Sequence, residues 1–153
     1  MRQYQPKGFQ QRSLTTNLGQ MVYSVPDPSF YPPANSEAVP LVFLHSLGGG
    51  SSAYEWSKVY PSFAGTHQVI APDLIGWGDS AHPKIRYEPA DYLNLIKLLL
   101  KQVAASPAWV VASSLTAALT IRLAIQEPQL FQGLFLVSPS GYRDFREDYR
   151  QQT

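Results

Sequence analysis

The stretch Trp109-Val-Val-Ala112-Ser113-Ser114-Leu115-Thr116 passes from a strand-forming run straight into a helical pattern, with no residue left over for a loop. Trp109 to Ala112 is apolar without interruption, as in a strand covered on both faces. Leu115 to Gln126 then carries the spacing of a buried helix, and Pro128 ends it. Only a sharp, strained turn joins two such elements so abruptly. A serine at its apex is pushed out of the sheet at a helix N-terminus, where the next backbone N–H points at any oxyanion formed there. The two backbones nearly touch at this point, so the residues two before and two after the apex must be small. Ser114, between Ala112 and Thr116, meets that condition. Ser113 does not, because Leu115 would stand two residues after it. A serine that merely caps a buried helix is the plainer alternative.

Working outward, the same apolar signature recurs at Leu41–Leu44, Gln68–Ala71 and Gly133–Val137, which read as further buried strands. A short helical stretch from Ser52, limited by Pro61, follows the first of them. A helix is expected over residues 89–104, with Pro89 first, Asp91 in its first turn and Lys101 near its end. The order from Leu41 is βαβαβαβ, which implies a mostly parallel sheet with right-handed crossovers. Its chemistry should lie beyond the carboxyl ends of the strands. Upstream, Gln10–Val25 reads as a β-hairpin around Asn17-Leu18-Gly19. Residues 26–40 hold five prolines and read as a loop too short to separate domains. The tail from Arg143 is polar with mixed charge. A single α/β domain over residues 1–153 is the expectation.

Composition narrows the function classes. Hydrophobic residues make up 44% and charged residues 15%, so the chain has the material for a packed core. Twelve Lys and Arg against eleven Asp and Glu leave no basic excess to grip a phosphate backbone, so no nucleic-acid partner is expected. There is no cysteine, which removes disulfides, thiol catalysis and cysteine-based zinc sites. The first residues, Met1-Arg-Gln-Tyr-Gln-Pro-Lys7, lack the apolar core of a signal peptide. Gln102 to Ile121 is twenty residues without a charge, but five Ser/Thr and Pro107 make it a strand, a turn and a helix, not a membrane span. A cytoplasmic location is the expectation from these missing signals.

Two more strand ends carry patterns. His45-Ser46-Leu47-Gly48-Gly49-Gly50 brings a histidine and a glycine-rich loop to the end of the first buried strand, where backbone N–H groups can approach a ligand. By position the Leu47 N–H would pair with the Leu115 N–H to hold an oxyanion. The alternative is an ordinary glycine-rich turn with a structural histidine. Gly48-x-Gly50-x-x-Ala53, with Asp73 about twenty residues on, also matches a dinucleotide fingerprint. Three residues separate strand from first glycine, Pro61 cuts the next helix short, and a hairpin precedes the strand. Asp73-Leu-Ile-Gly76-Trp77-Gly78-Asp79-Ser80 reads as a compact loop in which Asp73 and Asp79 are structural.

Taken together, these three motifs in this order resemble the first half of an α/β-hydrolase, over roughly residues 8–143. The resemblance implies a partial α/β-hydrolase fold with Ser114 at the nucleophile position. It implies that the Leu115 and Leu47 N–H groups form the oxyanion hole, and that His45 orders the oxyanion loop without acting as base. It also implies attack on an ester-type carbonyl, an acyl-enzyme, and no cofactor or metal. Ala112, Thr116 and Ser46 stand where the family pattern has glycine.

The family order is nucleophile, acid, histidine. The histidines here are His45, His67 and His82, all before Ser114. Asp144 is a candidate acid. A serine without a base is a poor nucleophile, so the chain alone is expected to be inactive as an esterase. It reads as a C-terminally incomplete domain, either truncated or half of a split enzyme whose second chain supplies the rest. Gly133–Val137 would then be an open apolar edge with no charged guard residue, and the sheet an unusually apolar surface. The rival reading is a non-catalytic interaction module that docks a partner on that edge, and the dinucleotide-binding domain comes third.

Overall fold

The computed structural model describes residues 5–33, 35 and 37–140. One six-stranded sheet runs through it in the order β1-β2-β4-β3-β5-β6. β1 (Phe9–Thr16) and β2 (Gly19–Pro26) form the expected hairpin, paired from Phe9↔Pro26 to Thr16↔Gly19. Gly19 takes φ +115° at the turn, and the Thr16 hydroxyl closes it by accepting from the Leu18 N–H at 3.0 Å. β2 lies antiparallel to β4 (Gln68–Pro72). β3 (Pro40–Leu44) lies parallel to β4 and to β5 (Ala108–Ser113), and β5 lies parallel to β6 (Phe131–Val137).

The continuous apolar runs have a simple cause. Val42, Leu44, Ile70, Val110 and Ala112 enter one core cluster, while Leu41, Phe43, Val69, Ala71 and Val111 enter a second. Side chains alternate across a strand, so strands buried on both faces need apolar residues at every position. The first cluster lies under α1 (Pro89–Gln102) and α2 (Ser114–Gln126). Pro89 opens α1, and Asp91 accepts from the Glu88 N–H at 2.8 Å, as half of a capping box. Residues 102–121, uncharged throughout, resolve into β5, the turn and α2. No helix of the described residues is long and apolar enough to cross a membrane.

Two expectations are corrected. The crossover after β3 is not an α-helix but two short 3-10 helices, Ala53–Trp56 and Tyr60–Phe63. Pro61 sits in the second, where its missing N–H and ring prevent an α-helix from running through. Gly133–Val137 is not a buried strand either. β6 starts at Phe131 and alternates half-buried with exposed residues. Among the described residues it pairs with β5 alone, and Phe135 and Val137 are exposed.

Candidate active site

The carboxyl ends of β3, β4 and β5 converge as the topology requires. Ser113 is extended at φ −123°, and Ser114, the first residue of α2, has φ +52°. The chain turns from strand to helix within one residue, in a region that non-glycine residues seldom occupy. Ala112, two before, and Thr116, two after, are both fully buried. The Ser114 hydroxyl lies 3.2 Å from the Ser140 hydroxyl, and the Ser140 N–H donates to the Ser114 carbonyl at 3.1 Å.

The departure from glycine at Thr116 has a use. Its hydroxyl donates to the His45 carbonyl at 2.8 Å, bracing the β5–α2 turn against the end of β3. Thr116→Val keeps the shape and removes that donor, leaving a buried carbonyl without it. A loss of about 1–2 kcal/mol is expected, read as a lower urea midpoint at unchanged slope.

His45 is fully buried and ties two strand ends together. Its Nε2 accepts from the Leu74 N–H at 2.9 Å, so in the neutral tautomer Nδ1–H donates to the Ser46 carbonyl at 2.6 Å. Burial holds its pKa below the ordinary histidine value, partly offset by the Ser46 carbonyl and the Asp73 and Glu55 charges. Both ring nitrogens are thus engaged away from Ser114. Leu47 follows in the glycine-rich loop, which is pinned from the far side by the Trp77 indole N–H donating to the Gly48 carbonyl at 2.9 Å.

Asp73 is consumed by structure. Its carboxylate accepts from the Ala53 N–H at 2.7 Å and the Asp79 N–H at 2.8 Å. Both of its oxygens are thus tied to backbone in a buried position, and a four-residue 3-10 helix, not an α-helix, follows Gly50. The dinucleotide reading therefore has a buried, backbone-bound acid and no α-helix N-terminus after its glycines. Asp79 accepts from the Gln11 side chain at 2.8 Å. His67 bonds Thr66 at 2.8 Å and His82 bonds the Gly78 carbonyl at 3.0 Å, so neither is directed to Ser114. Asp144 lies outside the described residues.

Two participants escaped sequence reasoning. Glu55 accepts from the Ser46 N–H at 3.0 Å and the Ser46 hydroxyl at 2.9 Å through one oxygen, and from the Ser113 hydroxyl through the other. It clamps the glycine-rich loop to the residue before Ser114. Its only sequence signal, Ser52-x-x-Glu55, suggests a local capping box instead. Ser140 carries no signal, because only the β5–β6 pairing brings it to Ser114.

A serine held at positive φ at an abrupt junction of parallel strand and helix, over a mixed sheet, places the chain among the α/β proteins. The chain belongs to the alpha/beta hydrolase fold family, whose model matches residues 39–152. It is 33% identical over 98 residues to a haloalkane dehalogenase of Bradyrhizobium diazoefficiens, covering 64% of this chain and 31% of that protein. A 2-hydroxymuconate semialdehyde hydrolase of Pseudomonas is 30% identical over 104 residues, covering 67% and 37%. The crystal structure of haloalkane dehalogenase DbeA from Bradyrhizobium elkani superposes with a TM-score of 0.73 at 28% identity, over 93% of this chain and 49% of that one. The chain thus spans about a third of the length of these curated relatives.

Proposed function

We propose that Ser114 is the nucleophile position of a serine hydrolase site for ester-type substrates, with the Leu115 and Leu47 N–H groups as oxyanion donors and His45 ordering the loop. The observation that supports this best is the φ of +52° at Ser114. A non-glycine residue held there costs roughly 1–3 kcal/mol, and a plain helix cap needs none of that strain. The relatives' names cover dehalogenation and hydrolysis, and the ester-type assignment rests on a hydroxyl standing at the apex.

In this reading Oγ attacks the carbonyl carbon, the carbonyl electron pair moves to oxygen, and the two N–H groups hold the resulting charge. Collapse expels the alcohol and leaves an acyl-enzyme for water to cleave. The hydroxyl proton must go to a base, yet the three imidazoles make their hydrogen bonds elsewhere. The base therefore comes from polypeptide outside the described residues, of this chain or of a second one, and residues 5–140 do not turn over esters unaided.

Chemical rescue tests this. Without additive, p-nitrophenyl acetate hydrolysis is expected to be equal for the wild-type chain and Ser114→Ala. Imidazole in the buffer should raise the wild-type rate about tenfold or more above that of Ser114→Ala in the same buffer, a modest share of what a positioned base supplies. Strong Ser114-dependent turnover without imidazole would refute the missing base. Equal rates with imidazole would refute the nucleophile.

A further inference from the structure

We propose that Glu55 is a positioning residue for the oxyanion hole: its carboxylate holds the glycine-rich loop in register with the Ser114 turn and through that loop sets kcat. The inference rests on the Ser114 reading and adds to it a residue whose hydrogen bonds stop one position short of Ser114.

Glu55 stands on an anchored platform. The first 3-10 helix, Ala53–Trp56, is four residues long, too short to hold its own shape. The Ser52 hydroxyl caps it by accepting from the Tyr54 N–H at 3.2 Å. The Ala53 N–H donates to Asp73, the residue after β4. The Trp56 indole N–H donates at 3.0 Å to the carbonyl of Leu44, the last residue of β3. Glu55 accepts from Ser113, the last residue of β5. Three residues of one turn thus reach the ends of three neighbouring strands.

The hydrogens can be counted. Glu55 Oε2 accepts from the Ser46 N–H at 3.0 Å and from the Ser46 hydroxyl at 2.9 Å. A hydroxyl has one hydrogen, so the Ser51 hydroxyl, 2.9 Å from that of Ser46, is the donor between those two. The Ser113 hydroxyl gives its hydrogen to Oε1. Bonds to a charged acceptor are roughly twice as strong as neutral ones. Neither serine is demanded by the sterics of the turn, which fall on Ala112 and Thr116. What Ser46 and Ser113 share is a hydroxyl given to one carboxylate.

Leu47 lies between two such anchors. Ser46 before it is held by Glu55. Gly48 after it is held through its carbonyl by the Trp77 indole N–H at 2.9 Å and the Ser51 N–H at 3.1 Å. Glycines have no side chains to pack, so the loop keeps its shape through these bonds. An oxyanion donor has to stand within about half an ångström of its productive place. Its bond is strongest in the transition state, so loosening the loop lowers kcat and leaves KM nearly unchanged.

The test is p-nitrophenyl acetate hydrolysis by the full chain in imidazole, taking the rate in excess of Ser114→Ala as the signal. Glu55→Ala is expected to lower the kcat of that signal about tenfold or more, with KM within about twofold, a share of what losing a donor outright costs. Glu55→Gln can turn its Oε1 to Ser46 and its amide to the Ser113 hydroxyl, which then accepts, so it should keep kcat within about threefold of wild type. A second readout needs no chemistry. In Glu55→Ala the Ser51 amide, bonded to Gly48 and not to Glu55, should exchange its hydrogen about tenfold faster or more, while amides of α1 and α2 keep their rates. If Glu55→Ala does not fold, Ser113→Ala, which removes one donor only, decides the matter with a kcat lowered about threefold at constant KM. An undiminished signal in Glu55→Ala, or in Ser113→Ala where that variant decides, overturns the proposal and leaves the Ser114 reading standing. So do a loss confined to KM, a glutamine variant as weak as the alanine one, and unchanged Ser51 exchange. A wild-type chain with no signal overturns the nucleophile and this proposal with it.

Discussion

Gly78→Ala is expected to destabilise the chain by about 3–4 kcal/mol, an effect assembled from left-handed backbone strain of ~1–2 kcal/mol and overpacking of ~1–3 kcal/mol. Gly78 has φ +54°, and a Cβ built there would lie 2.1 Å and 2.7 Å from the two carboxylate oxygens of Asp73. The carboxylate cannot swing away without releasing the Ala53 and Asp79 N–H groups, and Asp73 is itself buried. Asp73→Ala should cost a comparable amount by orphaning those two donors, at ~1–3 kcal/mol each. The two substitutions should not add. With the carboxylate gone the clash is gone, so the double variant should lie well above the sum of the single losses in urea denaturation. Strict additivity would show that the tight approach does not matter. The site depends on this loop because it carries Leu74, whose N–H fixes His45.

How much of this was legible without coordinates follows from how local each requirement is. The strand–helix turn at Ser114 was readable because its demands are met within five residues: apolar before, periodic after, small on both sides. The alternation of Val42 and Leu44 with Leu41 and Phe43 between two cores was likewise implied by an unbroken apolar run. The hairpin and α1 carried their own turn and capping signals.

What stayed hidden was non-local. Glu55 reaches back nine residues to Ser46 and forward 58 to Ser113, across the sheet order and not along the chain. Thr116 stood in the sequence only as a departure from the family's glycine, and its hydroxyl braces the His45 carbonyl across 71 residues of chain. β6 has the composition of a buried strand, and composition does not record whether a neighbour exists to bury it. The first crossover failed for a smaller reason. Pro61 limits an α-helix visibly, but whether the remaining residues form one short helix or two 3-10 turns depends on what they pack against, here Phe43.

Loss of the His45 imidazole is the other large effect expected. His45→Leu fills similar apolar space but leaves the buried Leu74 N–H without its acceptor and the Ser46 carbonyl without its donor. A cost of about 3 kcal/mol is expected from orphaned groups of ~1–3 kcal/mol each. The same geometry makes the wild-type chain acid-sensitive. Nε2 must stay unprotonated to accept from Leu74, and burial lowers the folded pKa below the ordinary histidine value of 6.5. Below that value the unfolded histidine binds a proton that the folded one refuses, so the stability it contributes is full above 6.5 and falls as pH drops toward the folded pKa. The slope from this one group approaches about 1.4 kcal/mol per pH unit. Unfolding free energies of wild type and His45→Leu, measured between about pH 5 and 7, should converge as the pH falls, the variant having already lost what acid removes from the wild type. Parallel curves would mean that the ring accepts a proton in the folded chain, and the bond from Leu74 would then not be the one that orders the loop.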